Sequence, residues 1–375
     1  MSAHRQEELA SLLSEHFPPI DHPLAYGSGI FHQPGLYATP PSPSRRSENT
    51  GAHDGPMLDF IFPVRDPVAW HRENMTRNRT HYRGVARWFP ARTIAACAEK
   101  IGAGVHFNSI VPVHHKQQRH VIKYGVIATS RLLRDLCNWS DLYLAGRLHK
   151  PVLDLRTNTT NNTTNNTTST FTLDEGIRAN HRSALFTALL LLPERFTQRE
   201  LLAAITGISY TGDVRLAVAA EDPKKVDRLV EGSRGELDTM YAPHIHEAIH
   251  TLGVLDREEE EPEEEGIYRQ RTPHCREARL ELLTRLPPGL IRATAAALGA
   301  EEKEVHELDT ARRIAAYGAR ECAAAVQAVV RGLVRRSSVK QAVAGLVTNG
   351  PAVALKYLAN KWRKGGIGRG NQLQL

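Results

Sequence analysis

One acidic residue stands where an acid is costly. Residues 57–64 read MLDFIFPV, an apolar run of the kind that forms a buried strand, interrupted at Asp59. Burying a carboxylate is expensive unless something compensates it, so a strand that keeps one points to a chemical reason. Upstream, residues 24–29 read LAYGSG, a strand running into the glycine turn Gly27, Ser28 and Gly29. A strand, a glycine turn and a second strand bearing an acid form an order suited to nucleotidyl transfer. Glycines let the backbone approach a triphosphate, exposed N–H groups and the Ser28 hydroxyl hold phosphate oxygens, and a strand carboxylate places the Mg²⁺ that bridges them. On these residues alone a structural explanation stays open, because such turns are common.

The surrounding pattern is that of an α/β (α+β) chain. A short helix at 9–17 ends at Pro18 and Pro19, and residues 38–56 form a Pro/Ser-rich loop. Strands at 104–113 and 120–128 flank a polar turn at 114–119, and a helix follows at 130–139. This gives a first domain over 1–156. Residues 157–170 hold the low-complexity run NTTNNTTNNTT, a linker insertion that cannot bury anything. Helical spacing dominates 171–330, with helices at 174–192, 197–206, 223–252, 276–286 and 309–333. Thr197 and Glu200 form a capping-box pattern, and the acidic run 256–265 reads as a solvated insertion.

The length of 375 residues suits about two domains. The net charge of +7 is concentrated at one end: after Glu321 there is no acidic residue and there are nine basic ones. In the tail, 331–375, Val339, Ala342, Val343, Leu346 and Val347 share one face of a helix that stops at Asn349 and Gly350. After Pro351 a second helix puts Leu355, Leu358 and Trp362 on one side, with Lys356, Asn360, Arg363 and Lys364 away from them and Lys361 in the same basic run. A basic amphipathic segment of this kind suits an anionic membrane surface, at about 1 kcal/mol per basic residue. The alternative is a terminal helix docked on its own domain.

Other classes are excluded or disfavoured. The longest apolar run, 184–192, falls far short of the ~20 residues needed to cross a bilayer, which excludes an integral membrane protein. Cys97, Cys137, Cys275 and Cys322 form no CxxC pair, which disfavours a disulfide framework and a cysteine zinc site and favours a reducing compartment. The first 17 residues, with Glu7, Glu8 and Glu15, resemble neither a secretory signal nor a mitochondrial presequence. His246-Glu247-Ala248-Ile249-His250 is a formal HExxH, but no third zinc ligand announces itself.

Five blocks carry a family resemblance: LAYGSGIFHQ (24–33), MLDFIFPVRDPVAWHREN (57–74), GAGVHFNSIV (102–111), IKYGVIATSRLLRDLCNWSDLYLAGRLHKPV (122–152) and ISYTGDVRLAV (208–218), followed by RRSSVKQAVAGLVTNG (335–350). Together they resemble the mitochondrial phosphatidate cytidylyltransferases, also called the translocator assembly and maintenance protein 41 family. The resemblance implies a DNA polymerase beta-like nucleotidyltransferase domain, a helical winged-helix-like domain and a basic C-terminal segment. It implies Mg²⁺-dependent synthesis of CDP-diacylglycerol from CTP and phosphatidic acid, feeding cardiolipin synthesis, peripheral on the matrix face of the mitochondrial inner membrane, with no nucleic-acid partner.

By the same resemblance Asp59 binds metal, while Gly27, Ser28 and Gly29 hold the triphosphate. The superfamily's second acid falls at Ile61, so another carboxylate is needed, and Asp213 with nearby Arg215 is the candidate, against the alternative of a structural ion pair. Lys123 and Tyr124 are assigned to the polyphosphate and the nucleotide; Asn108, Arg147 and Lys150 are further candidates, and Asp66 reads as a turn or cap residue. Two rival readings remain: a non-catalytic adaptor for protein import, and a nucleotidyltransferase with a soluble acceptor.

Overall fold

Strands rich in Phe, Ile and Val bury both faces only if helices cover each side, and the chain provides both covers. The computed structural model describes residues 3–31, 56–156, 172–213, 225–258, 266–300 and 306–349. Five strands, β1 (Leu24–Tyr26), β2 (Leu58–Val64), β3 (Val105–His115), β4 (Gln118–Ala128) and β5 (Val152–Asp154), form a sheet in the order β3-β4-β2-β1-β5. β2 and β4 run parallel and the other pairs antiparallel.

Strand alternation then sorts the side chains. Phe60, Phe62, Tyr124 and Val126 pack with Leu12 of helix α1 (Ala3–His16), Phe17 just past its end and Trp70 of α2 (Pro67–Arg77). Ile61 and Ile127 face the other way, toward Leu132 and Leu136 of α4 (Thr129–Asn138) and the helical half of the chain. The parallel pair requires a crossover, and α2, α3 (Ala91–Lys100) and β3 make it. Asp66 caps α2, its side chain accepting the N–H groups of Val68 (2.8 Å) and Ala69 (3.1 Å) ahead of Pro67.

After the four-residue helix α5 (Leu144–Arg147), the helical half opens with α6 (Leu173–Leu191) and α7 (Gln198–Gly207). Both start with capping boxes, Thr172 with Glu175 and Thr197 with Glu200. Strands β6 (Arg195–Thr197), β7 (Leu255–Arg257) and β8 (Ile267–Gln270) add a three-stranded sheet in the order β6-β8-β7. Neither these short strands nor the helices α2 and α3 are among the elements expected from periodicity.

Two expected helices differ. The helix expected over 223–252 divides among the described residues into α8 (Lys225–Gly232), α9 (Arg234–His246) and a π-turn, Glu247–Thr251. After α10 (Arg276–Leu283) and α11 (Pro288–Ala297), the helix expected over 309–333 is two, α12 (Glu307–Ala316) and α13 (Ala319–Asn349). They part at Gly318, whose N–H donates to the Glu321 carboxylate (3.0 Å). Helix α13 runs unbroken through position 331. Val326, Val330, Val334, Ser337, Ala344 and Thr348 are buried along it. Gln341 ties it to the sheet half, accepting from Ala103 N–H (3.1 Å) and donating to the Val105 carbonyl (3.2 Å). The first tail helix is therefore docked on the chain's own body, while Lys356, Lys361, Trp362, Arg363 and Lys364 lie outside the described residues. So do most of the 38–56 loop, the 157–170 run and most of the acidic run.

Beneath the sheet lies a buried polar network. The Tyr124 hydroxyl accepts from Asn74 Nδ2 (2.9 Å) and Asn108 Nδ2 (2.9 Å) and lies 3.1 Å from His81 Nδ1; the Tyr82 hydroxyl lies 2.8 Å from His71 Nδ1. Burial pushes His81 and His106 down to about 4 from 6.5 and holds His71 well below that ordinary value. A folded-state pKa below the unfolded one gives stability that is full above 6.5 and lost as pH falls toward 4. The thermal midpoint should therefore drop over that interval. A midpoint that stays flat between pH 6.5 and 4 would show that these imidazoles charge at no cost to the fold.

Candidate active site

β1 and β2 are antiparallel with Tyr26 opposite Asp59, and the parallel register puts Asp59 opposite Lys123 on β4. Three residues thus meet on the face that looks toward the helical half. Lys123 Nζ stands 3.6 Å from Asp59 Oδ1 and 4.7 Å from the Phe107 ring centroid. Both charged side chains are mostly buried, at 18% and 16% exposure. Among the described residues nothing donates a hydrogen bond to the Asp59 carboxylate, and Lys123 is the cation that faces it.

The chain leaves β1 through Gly27, at φ +83°, a left-handed conformation that favours glycine. A Cβ at Gly27 would lie 3.0 Å from Asp59 Oδ2 and 3.7 Å from Arg147 Nη2. At Gly29 a Cβ would drive into the Met57 carbonyl, so glycine is required where the turn crosses the start of β2. The turn closes with Ile30 and Phe31 N–H donating to the Gly27 carbonyl, and Arg5 Nη2 of α1 donates to the Gly29 carbonyl (2.8 Å).

Arg147 completes the cluster, its guanidinium 4.1 Å from the Tyr26 ring centroid. It sits at the end of α5, which is held by a single carboxylate. Buried Asp135 accepts three backbone N–H groups, from Asp141 (2.9 Å), Leu142 (2.7 Å) and Ala145 (3.0 Å). Burial lifts the Tyr26 hydroxyl above its ordinary value of 10; nearby Lys123 and Arg147 oppose that lift, and Asp59 adds to it. The arrangement is a carboxylate flanked by two cations beside a glycine turn, able to receive a polyphosphate and its metal.

The other expected residues fall in several places. Tyr124 is corrected: next to Lys123 on a strand, it faces the opposite side and is fully buried in the histidine network, and Asn108 is there with it. Lys150 hydrogen-bonds Ser209, and its Nζ lies 4.5 Å from the Tyr210 ring centroid. Asp213 is 2% exposed, so the Gly212 turn does not present its carboxylate to solvent as expected; a Cβ at Gly212 would meet Arg331 of α13 at 2.6 Å. The Tyr210 turn nevertheless packs on α5, where a Cβ at Gly146 would stand 2.6 Å from Ser209 Cβ. Arg215 lies outside the described residues. Arg147, a lesser candidate from sequence, is central, and Tyr26 was not singled out at all.

Clusters of three potential metal ligands occur elsewhere among the described residues: Glu15, His16 and His115, and His22, Asp154 and Asp174. The second is already neutralised by Arg156, which reaches Asp154 (2.7 Å) and both Asp174 oxygens (3.0 and 3.1 Å). In the HExxH segment Glu247 is held by Arg182 (2.8 Å from Nε), and among the described residues none of His246, Glu247 and His250 joins a cluster of three potential metal ligands.

The family model for the mitochondrial phosphatidate cytidylyltransferases matches residues 9–364. This chain belongs to that family. Proteins named mitochondrial phosphatidate cytidylyltransferase are similar to it throughout. The one from Xenopus laevis is 34% identical, covering 93% of this chain and 92% of the frog protein; that from Mus musculus is 33% identical over 93% and 92%. That from Drosophila melanogaster is 32% identical over 92% and 93%. The matched span includes the glycine turn, Asp59, Lys123 and Arg147 of this chain.

The close crossing at Gly29 has a measurable cost if disturbed. Gly29→Ala should destabilise the fold by about 1–3 kcal/mol through the clash with the Met57 backbone. Urea unfolding checks this, and an unchanged midpoint would mean that the turn can move away from β2.

Proposed function

We propose that this chain is a phosphatidate cytidylyltransferase that makes CDP-diacylglycerol from CTP and phosphatidic acid. The observation that carries the reading is the Asp59 carboxylate, largely buried, without a hydrogen bond among the described residues, and set between Lys123, Arg147 and the Gly27 turn. A phosphate oxygen of phosphatidic acid attacks the α-phosphorus of CTP, a new P–O bond forms, the α–β P–O bond breaks, and pyrophosphate leaves. The Gly27–Gly29 turn admits the triphosphate to the backbone. Lys123 offers a point charge and Arg147 a planar fork to its oxygens, and both neutralise charge on the departing pyrophosphate.

Mg²⁺ fits this donor set. Such an ion commonly takes one or two protein carboxylates and completes its shell with water and substrate phosphates. Asp59 would hold it, and bound there it would stabilise charge on the transferring phosphoryl group. Asp213 remains the candidate for a second carboxylate, because its turn packs on the helix that carries Arg147. We read the five-stranded half as a DNA polymerase beta-like nucleotidyltransferase domain, and the helices with the three-stranded sheet as winged-helix-like. No helix among the described residues is long and apolar enough to cross a membrane. That fits an enzyme held peripherally on the matrix face of the mitochondrial inner membrane, where its product would feed cardiolipin synthesis. The adaptor reading draws on no feature of the site; the soluble-acceptor reading uses the same turn, carboxylate and cations, and the requirement for lipid tests it.

Purified protein with Mg²⁺ should release pyrophosphate only when CTP and phosphatidic acid are both present, and not with ATP, GTP or UTP. Release without lipid would point to a soluble acceptor, and none with any nucleotide would favour the adaptor. Asp59→Asn should lower turnover at least about a hundredfold with the thermal midpoint nearly kept. Retained activity would remove Asp59 from the chemistry.

A further inference from the structure

Trp88 is the most exposed large apolar side chain among the described residues, at 72%, with Val85 beside it at 44%. Both stand on the 3-10 turn Gly84–Trp88, which is firmly built. Ala86 of the turn is buried with Tyr82 and Ile94, while Phe89 packs against them. Arg79 Nη2 donates to the Arg87 carbonyl (3.1 Å), and Arg83 Nη2 to the Ile110 carbonyl (2.6 Å). The Arg87 guanidinium lies 5.2 Å from the Trp88 ring centroid. A tryptophan and a valine are thus held outward on a rigid support instead of collapsing onto the body.

The charge around this turn has one sign. Residues 74–98 contain no Asp or Glu, and among the described residues no carboxylate pairs with Arg79, Arg83, Arg87 or Arg92. The turn packs against α13, which carries no acid after Glu321 and exposes Val339, Val343, Leu346 and Val347 on its outer face. Apolar side chains projecting from a basic surface are complementary to an anionic bilayer, where an indole sits at the headgroup boundary and arginines meet lipid phosphates.

We propose that the Gly84–Trp88 turn of the sheet half is a membrane-docking wedge, inserting Val85 and Trp88 into the surface of an anionic bilayer. The inference rests on the lipid-substrate reading above and deepens it. A second contact, on the half that carries Asp59, fixes how the site faces the bilayer, which a tail acting alone does not do.

The test uses the full chain with Trp362→Phe, so that the emission that responds to lipid comes from Trp88; Trp70 and Trp139 are buried. Vesicles of phosphatidylcholine mixed with phosphatidic acid, carrying brominated acyl chains, should quench Trp88, and pure phosphatidylcholine vesicles should not. Val85→Glu with Trp88→Glu should weaken vesicle binding about tenfold. Pyrophosphate release from CTP and a dispersed short-chain phosphatidic acid should stay unchanged in that variant. Trp88→Ala alone should give a smaller loss of the same kind. Absent quenching, or undiminished binding of the double variant, overturns the wedge. So does a Trp88 that resists acrylamide before lipid is added, since residues 350–375 or a second copy would then already cover it. Lipid quenching without pyrophosphate release under any condition would support the wedge while removing the proposed reaction, so the two failures are distinct.

Discussion

The candidate site depends on one buried carboxylate, that of Asp135, whose partners are all backbone N–H groups. Asp135 gathers the N–H groups of Asp141, Leu142 and Ala145, and so folds the segment after α4 back against the sheet. Three charge-assisted bonds to one acid are strong enough to hold Trp139 and Leu142 at positive φ, which side-chain-bearing residues rarely adopt. The return of this segment places α5, and α5 places Arg147 over Tyr26 and beside Gly27. Without it, the glycine turn and Asp59 would face only one cation.

The same segment is fastened from outside. Asp141 pairs with Arg131 of α4 and with Lys340 of α13 (3.3 Å), so the helix that closes the described chain bears on the loop that sets Arg147. α13 also receives Gly212 against Arg331. Sheet, Asp135 loop, Tyr210 turn and α13 therefore form one connected packing, and the candidate site lies where they converge.

Much of this could be read from the sequence where the signal is local. Gly27, Ser28, Gly29 and Asp59 stand out because a turn and an acid interrupt apolar strands, and Lys123 follows once β2 and β4 pair. Tyr124 was misassigned although strand alternation argues against it: neighbours on a strand point to opposite faces, so Lys123 and Tyr124 cannot both line one pocket. Asp66 followed by Pro67 is a helix start, and α2 was legible there. Arg147 was not, because its place depends on the Asp135 fold-back, a contact that no periodicity encodes. The extent of α13 was obscured by reading a change in composition as a boundary, when no Pro or Gly pair breaks the helix between Ala319 and Asn349.

Continuous helix carries a mechanical consequence. At about 1.5 Å per residue, the 31 residues of α13 span roughly 46 Å. Along that length it packs first on the helices of the second half and then on α3 and β3 of the first. A rod fastened to both halves stiffens the junction between them against hinge bending. Bending at that junction would have to break the contacts of α13 with α3 and β3, so the softer places of the described chain lie in its connecting segments.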